Sequence, residues 1–142
     1  MGEVRYGLVG AGMMGREHIA NLAITPGARL VALADPVGES LAAAKHALGS
    51  HADGVRHFDD VASLARSGEV DAVIVASPNH THRGVLEPLF DAGLHILCEK
   101  PLATTLDDAR WVAERARSTD KVFWTAMEYR YMPPIAALVA EA

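Results

Sequence analysis

The chain has 142 residues, half of them hydrophobic and 22% charged, with a net charge of -5. That length is one domain's worth and enough to bury a core without crosslinks, and the composition excludes a disordered tail. The acidic balance gives no footing for a nucleic-acid backbone or an anionic membrane surface. The single cysteine, Cys98, rules out an internal disulfide.

The opening "MGEVRYGLVG" lacks the basic-then-apolar profile of a secretory signal, and charged or turn-forming residues interrupt every apolar run before it could span a bilayer. A cytoplasmic location without a membrane partner is therefore expected. Along the chain, short apolar runs alternate with segments of helical spacing, which is the pattern of parallel strands joined by helical crossovers. The first strand is expected over 5–9. Directly after it, "YGLVGAGMMGREH" places Gly10, Gly12 and Gly15 at G-x-G-x-x-G spacing before a helix over 14–23. Such glycines serve a tight turn, close approach of the backbone to a pyrophosphate, and close helix-to-strand packing. The N–H groups and dipole at the helix start suit phosphate charge. Met13 and Met14 either cover that pyrophosphate or fill space between helix and sheet.

A second strand over 30–34 ends in Asp35, twenty residues after Gly15. An acidic side chain there receives the hydroxyls of an adenosine ribose. Asp35 also repels a 2′-phosphate, and Pro36 stands where a phosphate-binding arginine or serine could sit. NAD is thus expected as cofactor in preference to NADP. A helix over 39–48, a weaker strand over 55–58 and a helix over 61–66 lead to a fourth strand over 72–76.

The loop "ASPNHTHRG" then opens a helix over 82–92, and a fifth strand over 95–98 runs into "CEKP". Ligands in open α/β sheets collect beyond the carboxyl ends of the strands, so both loops should face the crevice of the glycine loop. Thr105 is placed to cap a helix over 106–117, a sixth strand follows over 122–126, and "PPIAALVAEA" begins another helix. The expected fold is an α/β doubly wound parallel sheet of the Rossmann type, because its central strands are uniformly apolar, as strands covered on both faces are.

"GLVGAGMMGREH", "ASPNHTH", "CEKPLATT" and "EYRYMPP" occur in an order and spacing that resembles the Gfo/Idh/MocA oxidoreductases, the group of glucose–fructose oxidoreductase and inositol dehydrogenase. The resemblance implies that Ser77, Pro78 and Asn79 line the dinucleotide cleft, with His82 starting the next helix. It implies that Glu99 lies near the ribose or nicotinamide end and that Lys100 is the catalytic group facing the substrate oxygen. Pro101 would hold that turn, a cis peptide being one means. Arg130 matches the arginine of the family's "RYMP" element, while Glu128 stands where many relatives have asparagine, and no catalytic role is assigned to it. The implied substrate is a polyol, a sugar or a similar hydroxylated small molecule.

Family members carry a further C-terminal domain, which supplies substrate ligands and usually the oligomer contact, so a homo-oligomer is compatible with the resemblance. Residues 1–142 are read as one dinucleotide-binding domain, and the stop soon after the last helix begins is read as a break inside the link to that second domain. The other reading is a stand-alone, non-catalytic dinucleotide-binding or regulatory module. On the residues alone, an ammonium at Lys100 beside Glu99 can stabilise a developing alkoxide and assist removal of its proton. The bland alternative is a surface ion pair between neighbours, worth little. His80 and His82 have no third ligand at a recognisable spacing, so no metal is expected, and His18, His46, His51, His57 and His95 show no pattern. Cys98 reads as core. Phe123 and Trp124 read as packing of the sixth strand, and Tyr129 and Tyr131 as flanks of Arg130.

Overall fold

A computed structural model of the chain describes residues 2–141. Six strands, β1 (Val4–Val9), β2 (Ala28–Ala34), β3 (Arg56–Phe58), β4 (Ala72–Val75), β5 (His95–Cys98) and β6 (Phe123–Thr125), form one sheet in the order β3-β2-β1-β4-β5-β6. Every pairing is parallel. This is the doubly wound Rossmann order, which reverses direction between β1 and β4 and opens a crevice at their carboxyl ends. The helices α1 (Met13–Ile24), α2 (Gly38–Leu48), α3 (Val61–Arg66), α4 (His82–Asp91), α5 (Leu106–Ser118) and α6 (Pro133–Ala140) alternate with or follow the strands.

Alternation within each strand divides the core in two. Leu8, Leu33 and Ile74 point to the face covered by Ile19 and Leu22 of α1 and Ala44 and Leu48 of α2. Their neighbours Val9, Ala32, Ala34, Val73, Val75, Ile96 and Cys98 point to the opposite face, against Leu64 of α3, Leu86 and Leu89 of α4 and Val112 of α5. Burial on both faces is why these strands read as unbroken apolar runs. Phe90 joins that second layer to the sheet edge through Trp111 at 5.9 Å and Phe123 at 5.3 Å between ring centroids.

Local signals set the ends. Asp60 caps α3 by accepting the Ser63 N–H at 2.7 Å, and Thr105 caps α5 by accepting the Asp108 N–H at 3.1 Å. Gly49 and Gly93, just beyond α2 and α4, take positive φ. The third and sixth strands are shorter than the sequence suggests. Both lie at sheet edges with one neighbour each, so only the residues facing β2 or β5 are held in the ladder.

Candidate functional site

Parallel register brings distant positions to one level. Ala34, Val9, Val75, Cys98 and Thr125 are successive partners across the sheet. The ladder runs one residue further, through Gly10 N–H to Ala34 O, Ala76 N–H to Val9 O, Glu99 N–H to Val75 O and Ala126 N–H to Cys98 O, all at 2.8–2.9 Å. Asp35, Gly10, Ala76, Glu99 and Ala126 therefore leave the sheet side by side, and the glycine loop, "SPN", "EKP" and the last loop share one edge.

The glycines have different tasks. Gly10 has φ +94°, and a Cβ there would lie 2.6 Å from the backbone of Ala76 and Ser77. At Gly15 a Cβ would lie 2.1 Å from the Gly10 carbonyl oxygen. Those two glycines let the loop, α1 and β4 pack together. Gly12 is the N-cap of α1, with no side-chain cap, no acidic residue in the first turn, and open space where a Cβ would project. The first-turn N–H groups thus have no side-chain cap and no acidic neighbour in the first turn, a helix start suited to an anion.

Asp35 is 9% exposed and ties the loop to the sheet. Its Oδ2 accepts the Ala11 N–H at 2.6 Å and its Oδ1 accepts the Val37 N–H at 2.7 Å. A carboxylate oxygen accepts more than one hydrogen bond, so both remain able to receive ribose hydroxyls. Open space at Gly12, an uncapped helix start and a fixed carboxylate at the end of β2 together fit a dinucleotide. Pro36 is exposed beside Asp35. Met13 is 70% exposed and Met14 36%, which removes Met13 from the core packing offered as one of its two roles.

Ser77, Pro78 and Asn79 form a tied loop. The Thr81 hydroxyl lies 2.9 Å from the Ser77 hydroxyl and donates to the Pro78 carbonyl at 2.7 Å. His82 is only 1% exposed. Its Nε2 lies 3.0 Å from Ser77 O and its Nδ1 lies 3.1 Å from Leu102 O, so the ring braces the "SPN" loop against the segment after "EKP". Its place is behind the cleft wall. Among the described residues no group of three or more metal-ligating side chains comes together. Burial, seconded by the neighbouring Glu99 charge, pushes the Cys98 thiol up to about 12, so it stays protonated in its strand.

The "EKP" turn corrects the expected pairing. Glu99 is 6% exposed, and its carboxylate turns to His18 of α1, with Oε1 2.8 Å from Nε2. Its link to Lys100 runs through the backbone, the Lys100 N–H donating to Oε2 at 3.1 Å. The Lys100 ammonium is half exposed and lies 3.8 Å from Glu128 Oε1. The Lys100–Pro101 peptide is cis. Arg130 sits exposed on a short 3-10 turn (Glu128–Tyr131) with Tyr129 and Tyr131, and Tyr131 packs on Trp124 at 5.6 Å between centroids.

Two residues of the first helix escape a reading of motifs. His18 is one, and Arg16, whose Nη1 donates to Ala11 O at 3.4 Å, is the other. The available signal is spacing: His18 follows Gly15 by three positions, on the helical face that also carries the buried Ile19 and Leu22.

The comparisons with known proteins agree with this geometry. Residues 4–127 match the family described as "Oxidoreductase family, NAD-binding Rossmann fold", GFO_IDH_MocA. The chain is 32% identical to the rhizopine catabolism protein MocA of Rhizobium meliloti, an alignment covering 97% of this chain and 42% of that protein. It is 43% identical to inositol 2-dehydrogenase 2 of Paenarthrobacter aurescens over 72% of this chain and 30% of that one. Among solved structures, myo-inositol dehydrogenase from Lactobacillus casei in complex with NAD(H) and myo-inositol superposes with a TM-score of 0.88 at 32% identity, covering 98% of this chain and 41% of that chain. The chain thus spans less than half the length of these relatives.

Proposed function

The chain belongs to the Gfo/Idh/MocA oxidoreductase family, an NAD-binding family, and on that premise we propose that it forms the cofactor half of an enzyme that oxidises a secondary alcohol reversibly. The substrate class proposed is a polyol, a sugar or a related small hydroxylated compound, as in the inositol dehydrogenases it resembles. One observation carries the reading: the sheet register sets the uncapped start of α1 and the Lys100 turn on the same edge.

Gly10, Gly12 and Gly15 hold the loop open, with Met13 and Met14 at its rim and Asp35 at the adenosine ribose. Ser77, Pro78 and Asn79 wall the cleft, and Glu99 lies beneath its far end. The dinucleotide, when bound, supplies the hydride acceptor. Lys100 donates a hydrogen bond to the substrate oxygen, stabilises charge that develops there and helps pass on its proton. Arg130 borders the same mouth. No feature of the site favours the module reading, binding without catalysis.

The test is reduction of NAD by a panel of cyclic polyols and sugars, using the uninterrupted reading frame that carries this chain. One substrate class should support turnover, and Lys100→Ala should lower kcat about 10²–10⁴-fold while leaving NAD binding in place. Undiminished turnover in Lys100→Ala would remove Lys100 from the chemistry.

A further inference from the structure

His18 and Glu99 are 81 positions apart in sequence, yet His18 Nε2 and Glu99 Oε1 lie within hydrogen-bond distance at 2.8 Å, with side chains only 16% and 9% exposed. Glu99 is held at three points: its N–H on Val75 O, its Oε1 on His18 and its Oε2 on the Lys100 N–H. An ionised carboxylate only accepts, so in the pairing with a Glu99 carboxylate the donor is His18 Nε2–H. Helix α1 is itself seated firmly, through Gly15 against Gly10 and through Ile19 and Leu22 in the core. The Lys100 side chain is half exposed, and its ammonium pairs at 3.8 Å with the Glu128 carboxylate of the following 3-10 turn. The backbone from which that side chain springs is tied to Glu99, whose Oε2 accepts the Lys100 N–H at 3.1 Å.

We infer that His18 is a positioning residue: by fixing the Glu99 carboxylate it couples the helix whose N-terminus faces the pyrophosphate to the turn that presents Lys100. The chain of contacts is continuous, from the N–H groups of the first α1 turn through His18 Nε2, Glu99 Oε1 and Oε2, to the Lys100 amide. A nucleotide that engages only the start of α1 thereby adjusts the lysine turn before any nicotinamide reaches it. This inference rests on the proposed dinucleotide site.

The probe is ADP, which carries adenine, ribose and pyrophosphate and has no nicotinamide to touch Lys100 directly. The readout is the backbone amide resonances of Gly12 and Lys100 in the isotope-labelled chain. ADP should shift both amides in the unaltered chain. In His18→Phe, which keeps the ring volume and loses the donor, Gly12 should still shift and the Lys100 response should be lost. His18→Gln restores a donor near the place of Nε2 and should recover most of the Lys100 response. Glu99→Gln, a second variant should His18→Phe fold poorly, should lose most of that response with Gly12 unaffected.

A Lys100 shift that persists undiminished in His18→Phe or Glu99→Gln overturns the inference. So does a Lys100 amide that ignores ADP in the unaltered chain while Gly12 moves. If neither ADP nor NAD moves Gly12, the dinucleotide site itself fails and the coupling fails with it, an outcome distinct from the other two.

Discussion

The glycines of the loop are separable at the level of single atoms. A methyl group at Gly15 would meet a carbonyl oxygen at 2.1 Å, whereas one at Gly12 would meet nothing within 4 Å. Gly12→Ala should stay within about 1 kcal/mol of the parent stability, because φ -66° suits alanine. Its NAD affinity should nonetheless fall at least about tenfold, since the methyl occupies the pyrophosphate's approach. Gly15→Ala should cost about 2–3 kcal/mol of folding stability by overpacking, with or without ligand. Urea titrations alongside NAD titrations distinguish the two patterns. Asp35 has a double role as well. Asp35→Ala removes the proposed ribose acceptor and also strands the Ala11 N–H, which belongs to a fully buried residue. It should therefore lower the melting temperature of the unliganded chain besides weakening NAD, whereas Asp35→Asn should spare more of the former than the latter.

Among the elements, the strand ends carry their own charges. Arg5 at the start of β1 donates to Asp71, which precedes β4, through Nη2 at 2.7 Å, Nε at 3.1 Å and its backbone N–H at 2.9 Å. Those hydrogen bonds hold the Asp71 carboxyl down to about 2 from an ordinary 3.8. A depressed carboxyl contributes stability that is fully present above the unfolded value and is lost as pH falls through the folded one. Acid unfolding followed by circular dichroism should therefore have a component between about pH 4 and pH 2 that Asp71→Asn removes. Element β5 gives a second test. With Cys98 fully buried and its thiol pushed up to about 12, iodoacetamide should leave the native chain unmodified and label it once urea unfolds it. Rapid labelling of the folded chain would contradict the packing of β5.

The order of strands and helices was legible because both faces of the sheet are covered, so that each central strand announces itself as an apolar run. The glycine spacing and the acid at the end of β2 announced the tight loop and the buried carboxylate beside it, each being a local pattern. The partner of Glu99 was not legible. Its neighbour Lys100 offered an opposite charge one position away, while the true partner lies on a different helix, and only the register of β1, β4 and β5 brings the two together. His82 shows the same limit: a histidine at a helix start reads as a cleft residue until two carbonyls from separate loops enclose it.

At the scale of the whole molecule, the sheet places the uncapped start of α1, the Asp35 carboxylate and Lys100 on one edge. The chain spans 42% of its relative MocA, so that edge is the part of the molecule on which cofactor binding can be tested by itself. In the proposed site Asp35 would meet the adenosine ribose and oppose a 2′-phosphate, which sets the expected preference between the two nicotinamide dinucleotides. The most direct measurement is isothermal titration of the folded 142-residue chain with NAD and with NADP. Saturable one-to-one binding of NAD is expected, at least about tenfold tighter than NADP and weakened by Gly12→Ala. A chain that is cooperatively folded by calorimetry and yet takes up no NAD would contradict it.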